Sequence, residues 1–234
     1  INTADSLAAV KKLVYEDKKY SMKQLKDALD ANWEGYEDMR KDFLAAPKYG
    51  NDDNYVDLIA ADLYTFVEQT LGKMDTAYGG KAVPTAISIT SHQPGGALTG
   101  ATPDGRRKGE ILADGSMSPM HGMDKNGPLA ILKSAMKVDQ AAYQATLLNM
   151  KFHPSALKTE EDLKKLGYMI KTYFNNGGKH VQFNVVDKET LCEAQREPEN
   201  HSDLVVRVAG YSAYFTVLGK EMQDEIIERT ELSI

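Results

Sequence analysis

The chain has 234 residues, 42% of them hydrophobic and 26% charged, with a formal net charge of −6. That is enough for a packed core, and the wrong sign for broad attraction to nucleic acid or anionic lipid. No apolar run approaches the roughly 20 residues that span a bilayer, and the lone cysteine, Cys192, leaves out an internal disulfide, a thiolate zinc site and an iron–sulfur cluster.

In chain order, residues 1–75 read as helical. Leu7, Val10, Leu13 and Val14 recur at helical spacing, and Ser21 is a cap for a helix with Met22, Leu25, Ala28 and Leu29 on one face. Trp33 to Phe43 is expected as a third helix and Tyr55 to Leu71 as a fourth, with Leu58, Ala61, Leu63, Phe66 and Val67 available for burial. Val83 to Thr90 is a strand candidate. Residues 95–128, rich in glycine, read as ordered irregular backbone, since loops of this length are uncommon unless functional.

Leu129 to Met136 reads as helix and Thr146 to Phe152 as strand. Thr159, with Asp162 three residues on, caps a helix through Phe174 that Gly177-Gly178 ends. His180 to Val186 alternates, with His180, Gln182 and Asn184 on one face and Val181, Phe183 and Val185 on the other. A helix follows from Lys188 to Arg196. The alternation of strands and helices predicts an α/β fold.

The tail reads Leu204-Val205-Val206-Arg207-Val208-Ala209-Gly210-Tyr211-Ser212-Ala213-Tyr214-Phe215, then a helix from Gly219 to Thr230. On its own, Gly210 is a turn glycine. The string Arg207 to Ser212, followed by the Gln223-Asp224-Glu225-Ile226-Ile227 helix, resembles the signature of the glycyl radical enzymes. Two upstream loops, Thr102 to Arg107 and Ser118 to Asp124, and the segment Gly177 to Val185 resemble that family in the same order.

The resemblance implies the C-terminal part of the family's ten-stranded β/α barrel. Residues 1–75 would be a helical segment of the enzyme body, 76–202 barrel strands, helices and loops, and 203–234 the glycyl radical domain. It implies a radical on Gly210, in a buried loop supported by Arg207, Val208, Ala209, Tyr211 and Ser212. Glycine suits this because its alpha carbon, with no side chain, can flatten and share an unpaired electron with the flanking amide and carbonyl.

It also implies a radical S-adenosylmethionine activase as partner, carrying the S-adenosylmethionine and the iron–sulfur cluster, so that this chain binds no cofactor or metal. Residues 203–234 would swing out to meet that activase. The polar stripe of His180, Gln182 and Asn184 is open to three readings: contact with the glycyl loop, a wall of the substrate cavity, or cross-strand pairing with no chemical role. His92-Gln93 is a weaker candidate for the same cavity. Arg106 and Arg107 are expected to pin loop carbonyls, and His121 and His153 to be structural.

Cys192 sits in a helical setting, without the Gly-Cys-x-Glu loop that bears the family's thiyl cysteine. It is expected to be a small core-facing residue. With a start that lacks a leader pattern, the chain reads as a piece of a longer enzyme, whose preceding portion would supply the thiyl cysteine. Ala209 and Ser212 resemble the eliminating and decarboxylating branch rather than pyruvate formate-lyase. The resemblance therefore implies dehydration or C–N cleavage of a small polyol- or choline-like substrate. The alternatives are an arylacetate (hydroxyphenylacetate) decarboxylase and, in another class, a non-catalytic spare-part radical module. A homodimer in the cytoplasm of an anaerobic organism is expected, with no nucleic-acid or membrane partner.

Overall fold

The computed structural model describes residues 1–233. The N-terminal helices are α1 (Asn2–Val10), which runs on into a wider π turn at Lys11–Glu16, α2 (Met22–Asp30), α3 (Glu37–Ala45) and α4 (Asn54–Leu71). Ser21 and Gln24 form a reciprocal capping box at the start of α2. The third helix begins later than its sequence suggests. Asn32 and Trp33 take left-handed backbone, with φ of 53° and 65°, in a turn that drives the fully buried Trp33 indole between α2 and α3 against Phe43. Burying that ring offsets the backbone cost.

Only part of the expected apolar face of α4 packs: Leu63 is partly buried against the contact with α1. Val56 and Ala60 are buried against Ala4 and Ala8 of α1, while Leu58, Phe66 and Val67 are exposed. Small alanines let the two axes approach, with Ile59 and Leu63 partly buried beside them. Leu7 and Met22, like Leu58, are exposed.

Val83 to Thr90 does not form a strand. It makes two backbone bonds to the segment at 144–145, and Pro84 lacks the N–H that a continuing ladder needs. The glycine-rich stretch is irregular from residue 99 to 126, but its beginning folds into a short helix, α5 (His92–Leu98). Pro94 sits in the first turn of α5, where a missing N–H costs nothing.

The rest is built around a three-stranded parallel sheet of order β2-β1-β5. α6 (Gly127–Met136) precedes β1 (Asn149–Phe152), α7 (Glu160–Asn175) crosses to β2 (Gln182–Val185), and α8 (Lys188–Arg196) follows. The Thr159–Asp162 capping box is present. β1 and β2 pair in register, Asn149 with Gln182 and Lys151 with Asn184. A separate antiparallel hairpin, β3 (Val205–Arg207) and β4 (Ser212–Tyr214), leads to α9 (Lys220–Glu228) and to β5 (Glu231–Leu232), which pairs with β1. The fold is thus α/β, and the parallel strands with their helices make a partial barrel.

One apolar core lies under the sheet: Ile131, Leu132, Leu148, Met150, Phe152 and Tyr173. A second joins the hairpin to α8 and α9 through Leu191, Val206, Val208, Phe215, Met222 and Ile226. Cys192 packs partly buried against this second core, in line with a core-facing residue. No helix among the described residues is long and apolar enough to cross a membrane.

Candidate functional site

The hairpin turn presents Gly210. Val208 N–H donates to Tyr211 O at 2.9 Å, and this tight closure forces Gly210 to φ +85°, where an L side chain is strained and glycine is not. Val208 and Ala209 are buried and anchor the turn, whereas Gly210, Tyr211 and Ser212 are exposed. The expectation of a buried glycine is therefore corrected: within these residues the turn faces outward, because its apolar anchors all lie on one side of it.

The polar stripe meets this turn. Asn184 accepts from Arg207 N–H at 2.7 Å and donates to Arg207 O at 2.8 Å, so its amide stands in for a neighbouring strand. Gln182 Oε1 accepts from Gly210 N–H at 3.2 Å and from Arg207 Nη2 at 3.0 Å. Arg207 also donates to Ser212 Oγ at 3.1 Å, bracing the two strands. Gln182 and Asn184 both contact the turn, and Gln182 also pairs across the strands with Asn149. His180 lies just outside β2; burial lowers its basicity, and the nearby Arg207 lowers it further.

Behind the turn lies a buried ionic cluster. Arg229, at the end of α9, donates to Val208 O at 2.8 Å and to Arg207 O at 3.2 Å. It also pairs with both oxygens of Glu225, at 2.9 and 3.0 Å. Asp114 from the glycine-rich stretch is 3.6 Å away, and His121 reaches Asp114 at 3.5 Å and Glu225 at 3.3 Å. Burial alone would lower the basicity of His121, but the two facing carboxylates outweigh it and raise its pKa to about 9. Burial would push the Asp114 carboxyl up, yet Arg229 and His121 hold it well below the usual range.

The cluster thus carries two negative and two positive charges. Asp114, His121 and Glu225 offer ligand atoms within 4.8 Å of one another, but the guanidinium already supplies the positive charge that an ion would bring. His92 approaches the same Glu225 oxygen as His121, at 3.8 Å, from the start of α5 rather than from the expected strand. It faces this cluster and not the Gln182 stripe.

Of the two loop arginines, Arg106 makes the expected carbonyl contacts, whereas Arg107 bonds through its backbone N–H to Glu110 Oε2 at 2.8 Å. Arg106, buried, donates to the carbonyls of Arg107 (3.0 Å), Glu110 (2.6 Å), Thr99 (3.2 Å) and Gly100, and so holds the irregular loop together. His153 accepts from Ser155 N–H at 3.1 Å and caps a short 3-10 turn. A cavity of about 540 Å³ between this loop and α9 has His121 and Glu225 in its wall. Gly210, His180, Gln182 and Asn184 are not among its lining residues.

Sequence reasoning missed Glu225 and Arg229 as parts of the site. Their signal was present: with Met222 and Ile226 they share one face of α9, and a charge pair on an apolar face must be buried and matched. Asp114 and Asn149 gave no comparable signal.

The Glycine radical family matches residues 113–216 and the Pyruvate formate lyase-like family residues 1–96. Indoleacetate decarboxylase of Tractidigestivibacter scatoligenes is 43% identical over 99% of the chain and 29% of that protein. The 4-hydroxyphenylacetate decarboxylase glycyl radical subunit of Clostridioides difficile is 40% identical, over 99% and 28%. Among solved structures, the glycerol-bound B12-independent glycerol dehydratase of Clostridium butyricum superposes with a TM-score of 0.96 at 44% identity. It covers all of this chain and 30% of that one. Hydroxyproline dehydratase of Clostridioides difficile gives 0.95 at 41%.

The chain belongs to the glycyl radical enzyme family. It spans about 30% of the length of the relatives it matches.

Proposed function

We propose that this chain is the radical-storing C-terminal portion of a glycyl radical lyase, with Gly210 as the storage site. The observation that carries this is the turn itself: a glycine held at positive φ at the tip of a hairpin, its N–H on Gln182 and the preceding carbonyls on Arg229. Arg207, Val208, Ala209, Tyr211 and Ser212 hold the turn. A radical S-adenosylmethionine activase, which carries the cluster and the cofactor, removes one hydrogen atom from Gly210 Cα.

The glycyl radical then takes a hydrogen atom from a cysteine thiol in the preceding portion of the enzyme, and the resulting thiyl abstracts hydrogen from substrate. That portion also covers the exposed turn against oxygen and water, in an anaerobic cytoplasm, and the whole enzyme is a homodimer. The reaction is elimination of a C–O or C–N substituent from a small polyol- or choline-like molecule. The fit to glycerol and hydroxyproline dehydratases supports this. Decarboxylation of an arylacetate is the second reading, supported by the identity to the two decarboxylases over 99% of the chain. A spare-part module is less well supported, because the matched families reach back to residue 1.

Exposure to air tests the assignment. Oxygen adds to a carbon radical and breaks the adjacent backbone, so the activated protein should be cut at Gly210. Mass spectrometry of the fragments reads the position. An intact chain, or a cut elsewhere, would contradict it.

A further inference from the structure

The acceptor that meets the Gly210 amide is set from a distance. Gln182 ends in an amide whose two termini are alike in size and opposite in hydrogen-bonding sense. A half-turn about its last bond would point Nε2 at Gly210 N–H and at the Arg207 guanidinium, and both contacts would be lost.

A line of buried side chains opposes that half-turn. Gln182 Nε2 donates to Asn149 Oδ1, and Asn149 Nδ2 donates to Asp114 Oδ2. An ionised carboxylate only accepts. Asn149 must therefore turn its NH2 to Asp114 and its oxygen to Gln182. Gln182 must in turn give its NH2 to Asn149 and its oxygen to Gly210. The parallel register sets Asn149 directly beside Gln182. Exposure of Asp114, Asn149 and Gln182 is 2%, 8% and 6%, so water is poorly placed to substitute for a missing partner. Arg229 at 3.6 Å and His121 at 3.5 Å keep the far end of the line charged.

We propose that Asp114 and Asn149 are positioning residues for Gly210, fixing the sense of the Gln182 amide so that an acceptor always faces the Gly210 N–H. The functional meaning rests on Gly210 being the radical site. Spin on its alpha carbon is shared with the amide nitrogen, and an acceptor on that N–H strengthens the donation and holds the peptide plane in which the sharing occurs.

The test is hydrogen exchange in the full chain before activation. Asn149→Leu keeps the side-chain size and removes both links. Exchange at the Gly210 amide should rise about tenfold, the scale of one lost hydrogen bond. Val208, whose N–H bonds within the turn, should be unchanged. Adding Gln182→Glu should restore Gly210, because a carboxylate offers an acceptor whichever way it is turned and Arg207 matches its charge.

A structural role for Asn149 alone would not be rescued in this way. Unchanged exchange at Gly210, or Gly210 and Val208 rising together without rescue, overturns the proposal. A measurement on the unaltered protein stands apart from any variant's folding. The side-chain NH2 groups of Asn149 and Gln182 should exchange at least about tenfold more slowly than free amides, and free exchange at either overturns the proposal as well. Neither readout needs a radical, so failure to form one on Gly210 would count against the radical assignment and leave these results to judge the relay.

Discussion

Replacing Arg229 with methionine should loosen the hairpin more than any surface change could. The side chain is 6% exposed and satisfies two carbonyls of the turn and both oxygens of Glu225. Methionine fills much of the volume but leaves Asp114 and Glu225 facing a single cation, His121. Breaking a buried ion pair by removing one partner costs about 3–5 kcal/mol. Part of this is recovered if a carboxylate takes up a proton, because the loss of Arg229 removes one of the two cations that hold the Asp114 carboxyl low.

The deficit should therefore be about 3 kcal/mol or more near pH 7.5 and smaller near pH 5. Thermal unfolding gives the global loss, and amide exchange at Val208 gives the local one, since its N–H closes the turn. A deficit below about 1 kcal/mol, at the level of an exposed pair, with unchanged exchange at Val208 would show that Arg229 does not clamp the hairpin.

Two other outcomes follow from the same structure. His121 has its pKa raised from 6.5 to about 9 by Asp114 and Glu225, with Arg229 and His92 also facing the cluster. A raised value gives stabilisation that is complete below about pH 6.5 and lost as pH rises through about 9. The melting temperature should fall over that window, and His121→Gln should flatten the fall; an equal slope in the variant would contradict it. Secondly, Leu58, Phe66, Val83 and Ile89 are each more than half exposed, which predicts association or poor solubility of the chain on its own. Sedimentation showing a monodisperse monomer at micromolar concentration would refute this.

Elements with strong local chemistry were legible from sequence. Thr159 and Asp162 marked the start of α7, alternation marked β2, and α8 falls where its pattern placed it. The turn glycine at Gly210 was legible because strand, turn and helix followed in one short run. What failed depended on partners distant in sequence.

The face of α4 that packs centres on Val56 and Ala60 against the alanines of α1, so that of its larger apolar residues Leu63 is partly buried while Leu58, Phe66 and Val67 are exposed. Val83 to Thr90 has strand-like composition, but Pro84 breaks the ladder. Trp33 looked like the start of a helix and is a core residue in a left-handed turn. At the site, the 35 residues separating Asp114 from Asn149 have no periodicity that could have linked them. Glu225 and Arg229 could have been found by asking why charges share a face with Met222 and Ile226.

The most direct test is the electron paramagnetic resonance spectrum of the protein after anaerobic activation, with glycine supplied either unlabelled or deuterated at the alpha carbon. One remaining alpha hydrogen on Gly210 predicts a doublet that collapses to a single line on deuteration and is absent in Gly210→Ala. That variant should still fold, because the added Cβ would lie 3.5 Å from Leu147 Cδ1 and the positive φ costs only about 1–2 kcal/mol. A spectrum that ignores the deuterium, or persists in the alanine variant, would place the unpaired electron elsewhere and contradict the account.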